Sequence, residues 1–583
     1  MRVVDRCRHH FRVFFSSIIR RGQALLDRAY GVPALAGLAA LVLLPGLARH
    51  GILDGNESLY VESAREMLVS GTLVIPTLDD LPYLEKPPLF VWLLALSASL
   101  FGTGEMPMRA VSALVALLFI LASCRWAVLL GTGRERCSVP GYLLVTSVGF
   151  IIMARVAMPD MLFTVLFSGA ALNLLAAIVH DRRDLSRGAA ALLGLATLTK
   201  GFLAPVLLGA IVTGYALWQP DQRRRIVRLL ADPVAVSMCL SPIILWLLAA
   251  EWQLPGTVRR FVVDEHVLRF LGTREPRDYY SGPLYYYIPR LFLFFFPWSA
   301  FLPLGWLAAR HRPQPNRIAI RRYLWLCVGV PFAFFSLSRA KANYYIVICL
   351  PAMAFLAADY LPSLLRDHSR GRLILSILLP ALTLVSLVIV WWWLLTTGQT
   401  PHLFEREDGN RLLTILLPIT VLVILAVAIA HAGRGRSAVV LLGGLTILVL
   451  VQADQFWTRA EAVVSSRSLA EFVRRNYPDA SVLLYQDYEA CGALPIYLGR
   501  SVPIVDSQSM DLWYGHKLFP HHPNFIATDK VAQAGADTLL VVARNREESF
   551  SRSGLAAISE AVATIGKVTL YRLRTAPLAD PAH

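Results

Sequence analysis

Charge is scarce in this chain. Asp, Glu, Lys and Arg make up only 16% of its 583 residues while 56% are hydrophobic, a balance that excludes a soluble protein of this length. Cysteine is scarcer, with seven residues. Cys124, Cys239, Cys327 and Cys349 lie in or beside apolar runs and Cys491 stands alone near the C-terminus. Neither a disulfide framework nor a thiolate metal site is therefore on offer. The sequence has no Gly-rich phosphate loop, which speaks against direct use of a nucleotide. It also has no internal repeat and no low-complexity tract.

What is present is a succession of apolar runs, most of them long enough to cross a hydrocarbon core of about 30 Å at about 1.5 Å per residue. The runs fall at 31–49, 108–130, 139–154, 161–180, 188–199, 202–218, 231–250, 286–309, 322–337, 344–361, 373–395, 411–430 and 438–453, which predicts about thirteen spans. Short members such as 188–199 suggest helices that end below the surface, around a cavity. The net charge of +16 is carried mostly by Arg, clustered at 1–30, 134–136, 182–187, 223–228, 310–322, 366–372 and 434–436. These are alternate loops. The positive-inside bias places them in the cytoplasm, with the N-terminus inside and, for an odd number of spans, the C-terminus outside. The basic charge is thus a topology signal with some anionic-lipid contact, and no nucleic-acid partner is expected. The run Val32 to Leu47 is an uncleaved first helix, because no small-residue cleavage site precedes Arg49.

The expected fold class is a polytopic α-helical membrane protein: residues 1–453 form the transmembrane domain, with a large first outer loop at 50–107, and residues 454–583 form an outer α/β domain. Within the loop, Tyr60, Val61, Ala64, Met67 and Leu68 recur at helical spacing opposite Glu62, Arg65 and Glu66. That pattern predicts a helix on the membrane surface with a solvated polar face. Pro87 to Phe101 is apolar but only about 22 Å long as a helix, and fits an interfacial or re-entrant piece. After Asp454 a helix is expected at 468–475 and strands at 481–485, 502–505, 538–543 and 568–573, with no catalytic motif.

The densest polar group, Asp54, Asn56, Glu57, Glu62, Arg65, Glu66, Glu85, Lys86, Arg155 and Asp160, lies on the outer side. Ionisable groups at the edge of a hydrocarbon region are expensive unless paired, hydrated or functional. The stretch from Asn56 to Gly102, with Tyr-Leu-Glu-Lys-Pro at 83–87, resembles the first outer loop of the bacterial aminoarabinose transferase and protein O-mannosyltransferase relatives, glycosyltransferases of GT-C type. Further matches are Arg155 to Asp160 (RVAMPD), Thr199 to Phe202 (TKGF), Glu265 to Phe270 (EHVLRF) and Ser336 to Pro351 (SLSRAKANYYIVICLP). They occur in the family's order across most of the membrane region.

The resemblance implies a bacterial inner-membrane enzyme whose periplasm-facing site moves a sugar from a polyprenyl-phosphate carrier to an acceptor such as lipid A or another envelope glycan. It implies a catalytic carboxylate at Asp160, and a grip on the donor phosphate by Lys86 with help from Arg155, Lys200, Arg269 and Tyr345. It also implies a divalent metal, with zinc suited to a carboxylate and an imidazole at Glu85 and His266. This chain departs from the family at Asn56, where an aspartate is usual, and at Leu59, where an arginine is usual. Asparagine cannot act as a base, so Asp54 or Glu57 is expected to take the catalytic role, with Asn56 contacting substrate. Loss of the arginine leaves Lys86, Arg155, Lys200, Arg269 or Arg339 to compensate. The chemistry suits such groups: cations stabilise a departing phosphate while a carboxylate orients or deprotonates the acceptor. A lipid-linked sugar transporter is the rival from another class. It would place ionisable groups near the midplane of repeated, broken helices, whereas here the acids gather at one face. Transfer to a protein hydroxyl is the alternative within the enzymes.

Overall fold

A computed structural model describes residues 31–276, 281–310, 315–366, 369–396, 406–531 and 537–574. The basic segment 1–30 and parts of the loops 310–322 and 366–372 lie outside these residues.

The apolar runs fold into a helical bundle. Among the described residues six helices are long and apolar enough to span a bilayer, or up to eight if each of two sharply bent pairs counts as one span. Shorter apolar helices (Val32–Leu43, Leu89–Phe101, Leu417–His431, Gly435–Val451) accompany them. The expected thirteen is therefore not matched one for one. The run at 139–154 breaks into a pair bent by 73°, and 202–218 bends by 116° into the polar stretch that follows it. The run at 286–309 divides into Tyr287–Phe294 and Phe301–Ala309. Proline and short polar breaks interrupt what composition alone reads as continuous. Pro159–His180 and Asn343–Leu364 are largely enclosed by protein, whereas Pro233–Gln253 turns most of its surface outward. Its exposed Leu245, Leu248 and Trp252 suit contact with lipid rather than water.

The helix Gly435–Val464 runs well past Asp454, so the polar domain starts near Ser465 rather than where the composition changes. It carries a six-stranded sheet of β3 (Ser481–Tyr485), β4 (Ile504–Val505), β5 (Phe525–Ile526), β6 (Thr538–Ala543), β7 (Ser559–Ile565) and β8 (Val568–Leu573) in the order β5-β4-β3-β6-β8-β7. The first four positions pair in parallel and the β8-β7 edge is antiparallel. β3 and β6 are buried along almost their full length, as central parallel strands covered on both faces must be.

The first long loop is the adaptor between bundle and sheet. Its helix Asn56–Ser70 buries Tyr60, Val61, Ala64 and Met67 in the core of the bundle. Leu59 and the hairpin strands β1 (Thr77–Leu78) and β2 (Leu81–Pro82) join the sheet domain's core instead. The expectation of a solvated polar face therefore fails: Glu62, Arg65 and Glu66 are all buried. Arg65 and Glu62 satisfy each other in a bidentate pair at 2.6 and 2.8 Å, and Glu66 accepts from the backbone of Asp80. Asp79 accepts from Val502 N at 3.0 Å, while its carbonyl takes a bond from the Asn524 amide at 2.8 Å. The sheet domain covers the face that helical periodicity assigns to water.

Candidate functional site

Beneath the sheet domain lies a cavity of about 270 Å³. Three stretches of the bundle and one of the sheet domain converge on it. The first is the start of the helix Asn56–Ser70. Gly55, at φ 83° and ψ −120°, makes a turn that a side chain would strain, and Asn56 enters the cavity with its Oδ1 accepting from the Tyr344 hydroxyl at 3.1 Å. The second is Asp160 in the first turn of Pro159–His180, ion-paired with Lys200 at the end of Arg183–Lys200. Lys200 Nζ also sits 4.6 Å from the centre of the Tyr345 ring, a cation–π contact in a partly dehydrated place.

The Thr-Lys-Gly-Phe motif explains how Lys200 is aimed. The helix ends at Lys200, Gly201 turns with φ 75°, and Phe202 N donates at 2.9 Å to Nε2 of His266. His266 lies in a stretch, Arg260–Leu268, wound wider than an α-helix, a feature frequent at functional sites. Its Nδ1 meets the Phe261 carbonyl at 2.7 Å, so both ring nitrogens are in use. Burial lowers its pKa, in keeping with a neutral ring that locks this turn.

Glu85 and Lys86 form the third side. Glu85 faces Arg274 at 3.1 Å, Arg269 at 3.6 Å and Lys86 at 3.7 Å. Glu265 holds Arg260, Arg269 and Arg274 at 2.9, 3.2 and 2.8 Å. Burial by itself would raise the Glu85 carboxyl, but Arg274, Arg269 and Lys86 together hold it well below the usual carboxylate range. Burial, then the neighbouring Arg269, pushes Lys86 down to about 8. The expected zinc pair does not fit this geometry. His266 has no lone pair left to offer and Glu85 is saturated with cations, whereas a metal site needs several free donors. Among the described residues no group of three or more His, Cys, Asp and Glu is placed to hold a metal.

Other expected residues sit elsewhere. Glu57 does not line the cavity; it accepts from Leu53 N, Ala157 N and both arms of Arg109 at 2.7–2.9 Å. Arg109 also binds the Leu47, His50 and Gly51 carbonyls. The pair is a buried clamp on the loop's start, with both carboxylate oxygens of Glu57 taken. Arg155 donates to the Val42 and Leu43 carbonyls and does not line the cavity. Arg339 is exposed and also outside it. Asp54 reaches the wall, but its carboxylate takes Lys567 at 2.9 Å, the Ser466 hydroxyl at 2.9 Å and Ala493 N at 2.9 Å. It therefore ties the loop to the sheet domain.

Several wall residues were not singled out from sequence. Arg274 and Lys341 are basic, and Lys341 donates to the Phe335 and Ser336 carbonyls near the end of the helix Pro315–Leu337, the negative end of its dipole. Glu489, Met510 and Asp511 come from the sheet domain. Burial, then the Glu489 carboxylate, raises the Asp511 pKa. No local motif marks these three; only the docking of one domain on the other puts them there.

A second concavity, an apolar groove of about 420 Å³, meets the first at Glu85, Lys86, Lys200, Arg269 and Tyr345. Phe202, Leu203, Val206, Phe270, Leu271 and Phe334 line its length. A charged cavity thus adjoins an apolar groove at a shared wall, here called the gate, that holds the three cations Lys86, Lys200 and Arg269.

The sequence profile of the dolichyl-phosphate-mannose-protein mannosyltransferase family matches residues 85–249. An undecaprenyl phosphate-alpha-4-amino-4-deoxy-L-arabinose arabinosyl transferase of Pseudomonas savastanoi pv. phaseolicola is 31% identical over 493 residues, covering 81% of this chain and 86% of the relative. One of the same description from Pseudomonas fluorescens is 29% identical over 512 residues, 84% and 87% of the two chains. Among solved structures, ArnT from Cupriavidus metallidurans bound to undecaprenyl phosphate superposes with a TM-score of 0.74 at 22% identity, over 94% of this chain and 99% of that one. The fold is shared almost end to end.

Proposed function

The chain belongs to the undecaprenyl phosphate-aminoarabinose arabinosyl transferase family, and from that premise we propose that it moves an aminopentose from undecaprenyl phosphate to an envelope glycolipid on the periplasmic face. The protein is an integral membrane glycosyltransferase that uses a polyprenyl-phosphate-linked sugar. The observation that carries the donor assignment is the gate between cavity and groove. A polyprenyl phosphate has one long apolar tail and one anion, and the groove and its three gate cations, Lys86, Lys200 and Arg269, match the two in that order.

In this arrangement the tail would lie along Phe202, Leu203, Val206, Phe270, Leu271 and Phe334, with the phosphate at the gate and the sugar in the cavity. Departure of the phosphate builds negative charge where the three cations already stand, so their effect grows toward the transition state. Tyr345 beside Lys200 helps to exclude water from that ion pair. Asn56 carries no charge, and Asp54 and Glu57 are committed to other partners, so of the carboxylates expected from sequence Asp160, paired with Lys200, is the one left to orient the incoming nucleophile. Its pairing with Lys200 links acceptor positioning to donor binding. No step requires a metal at Glu85 and His266, whose donors are already taken.

Purified protein incubated with undecaprenyl phosphate-linked 4-amino-4-deoxy-L-arabinose and an envelope glycolipid should yield the glycosylated lipid and free undecaprenyl phosphate, read by mass spectrometry. Sugar found on a protein hydroxyl would favour the mannosyltransferase-like alternative. An intact donor moved from one leaflet to the other without cleavage would mean transport and would end this proposal.

A further inference from the structure

On the sheet domain lies a third concavity that donor binding does not use. This crevice, about 710 Å³, sits at the carboxyl ends of β3 and β6. From β3 the sheet runs outward through β4 and β5 on one side and resumes with β6 on the other. The chain therefore leaves β3 and β6 in opposite directions. Such a reversal in a parallel sheet opens a gap outside the strand ends, and that gap is where ligands of this architecture bind.

We propose that the crevice is a separate docking site for a phosphorylated sugar, the head group of the acceptor, which it presents to the catalytic cavity; the acceptor role rests on the transferase function proposed above. Its walls supply two kinds of contact. Arg544 and Arg546 are the cations offered to an anion, the Lys567 ammonium being paired with Asp54 at 2.9 Å. The Arg546 guanidinium is held in place by Gln508 Oε1 at 2.7 Å and lies 3.8 Å from Asp487. Asp487 is in turn fixed by Ala490 N at 3.0 Å and the Asn545 amide at 2.9 Å. Arg546 Nε is the atom that faces Asp487 Oδ2 at 3.8 Å, beyond hydrogen-bond distance, and it is buried with no hydrogen-bond partner. A desolvated donor is costly until an acceptor oxygen arrives, and a planar guanidinium suits a phosphate. Arg544 is exposed beside it and makes no side-chain hydrogen bond or ion pair with another described residue. The carboxylate and amides of Asp487, Gln508 and Asn545 match hydroxyls. None of the lining residues is aromatic, so nothing is offered to stack a nucleobase, which favours a sugar phosphate over a nucleotide.

Two features connect the crevice to the reaction. Glu489 and Met510 line both concavities. Lys567 lines the crevice while its ammonium pairs with Asp54, a wall residue of the cavity. A sugar seated beside Arg544 is therefore next to the wall that the crevice shares with the cavity.

The test uses the full-length protein in detergent, saturated with undecaprenyl phosphate so that the gate cations are occupied. Glucosamine 1-phosphate, glucosamine and inorganic phosphate are titrated separately. Glucosamine 1-phosphate should bind, with the other two about tenfold weaker, and Arg544→Ala or Arg546→Ala should weaken it by about tenfold, the size of one lost charge-assisted contact. Failure of glucosamine 1-phosphate to bind, undiminished binding in both variants, or equal binding of inorganic phosphate would each overturn the site. In the transfer assay Arg544→Ala should raise the KM for acceptor and leave that for donor unchanged. An unchanged acceptor KM would remove the docking role. Because the titration needs no turnover, a protein that binds the sugar phosphate but transfers nothing would refute the transferase proposal without refuting the site.

Discussion

Asn56, Asp160 and Lys86 define how far chemistry at single residues can be read from this chain. Asn56 lines the cavity and accepts from Tyr344, so the departure implied by the resemblance, asparagine where an aspartate is usual, falls on the cavity wall. The two acids proposed from sequence as replacements are each consumed, Glu57 by Arg109 and Asp54 by Lys567. Removing either partner of such a buried pair costs about 3–5 kcal/mol, so substitutions there act on folding and docking before they act on turnover. Asp160→Asn is the direct test of catalysis. It should lower transfer on the order of a thousandfold with the protein still folded, while Lys86→Ala should mainly raise the KM for donor. The pH dependence separates the two. The Lys86 amine, pushed down to about 8 by burial and then Arg269, is charged below that value and neutral above it. Donor KM should therefore rise between about pH 7 and pH 9.5, and Lys86→Arg should flatten the rise. Wild-type kinetics in both variants would mean that the site is elsewhere.

At the scale of elements, the helix Asn56–Ser70 and the β1–β2 hairpin decide whether the two domains stay together. Periodicity places this helix correctly and says which side is apolar. It cannot say that the polar side will also be covered, because the covering strands come more than 400 residues later, as the Val502-to-Asp79 bond shows. Covering two acids has a thermodynamic signature. Burial, and then the Glu62 carboxylate, pushes Glu66 up to about 8, and burial lifts Asp79 to about 7. In both cases the folded pKa exceeds the unfolded one, so their contribution to stability is complete below about pH 4 and is lost as the pH rises through about 7 to 8. The melting temperature should fall by a few degrees between about pH 6 and pH 8.5, and Glu66→Gln with Asp79→Asn should remove most of that slope. A slope equal in wild type and double variant would show that these acids do not report the junction.

At the scale of the whole molecule, the membrane bundle, the outer loop and the sheet domain all contribute walls to one cavity. The orientation proposed from the Arg-rich loops puts that site in the periplasm. Glu548 is an exposed position on the sheet domain and Arg134 lies in an Arg-rich loop. In intact spheroplasts a membrane-impermeant maleimide should label Glu548→Cys and spare Arg134→Cys, and the described native cysteines, all buried or half-buried, should contribute little background. Labelling in the reverse pattern would invert the topology.

Composition alone determined that this is a membrane protein, since so few charges cannot cover a soluble fold, and local order alone determined β3, β6, β8 and the helix Arg467–Asn476 nearly to the residue. These are properties of short windows, set by hydrophobic burial and backbone propensity. The resemblance added Asn56, Lys86, Asp160, Lys200, Arg269 and Tyr345, which the structure gathers around one cavity. Only the tertiary structure decided that Glu57 is a clamp, that both nitrogens of His266 are spent on a turn, that Arg274 joins the charged gate, and that Glu489 and Asp511 reach the site from the far end of the chain. A side chain's chemistry depends on the partners it meets. In this protein many of those partners are brought by segments hundreds of residues away, whose packing no local pattern encodes.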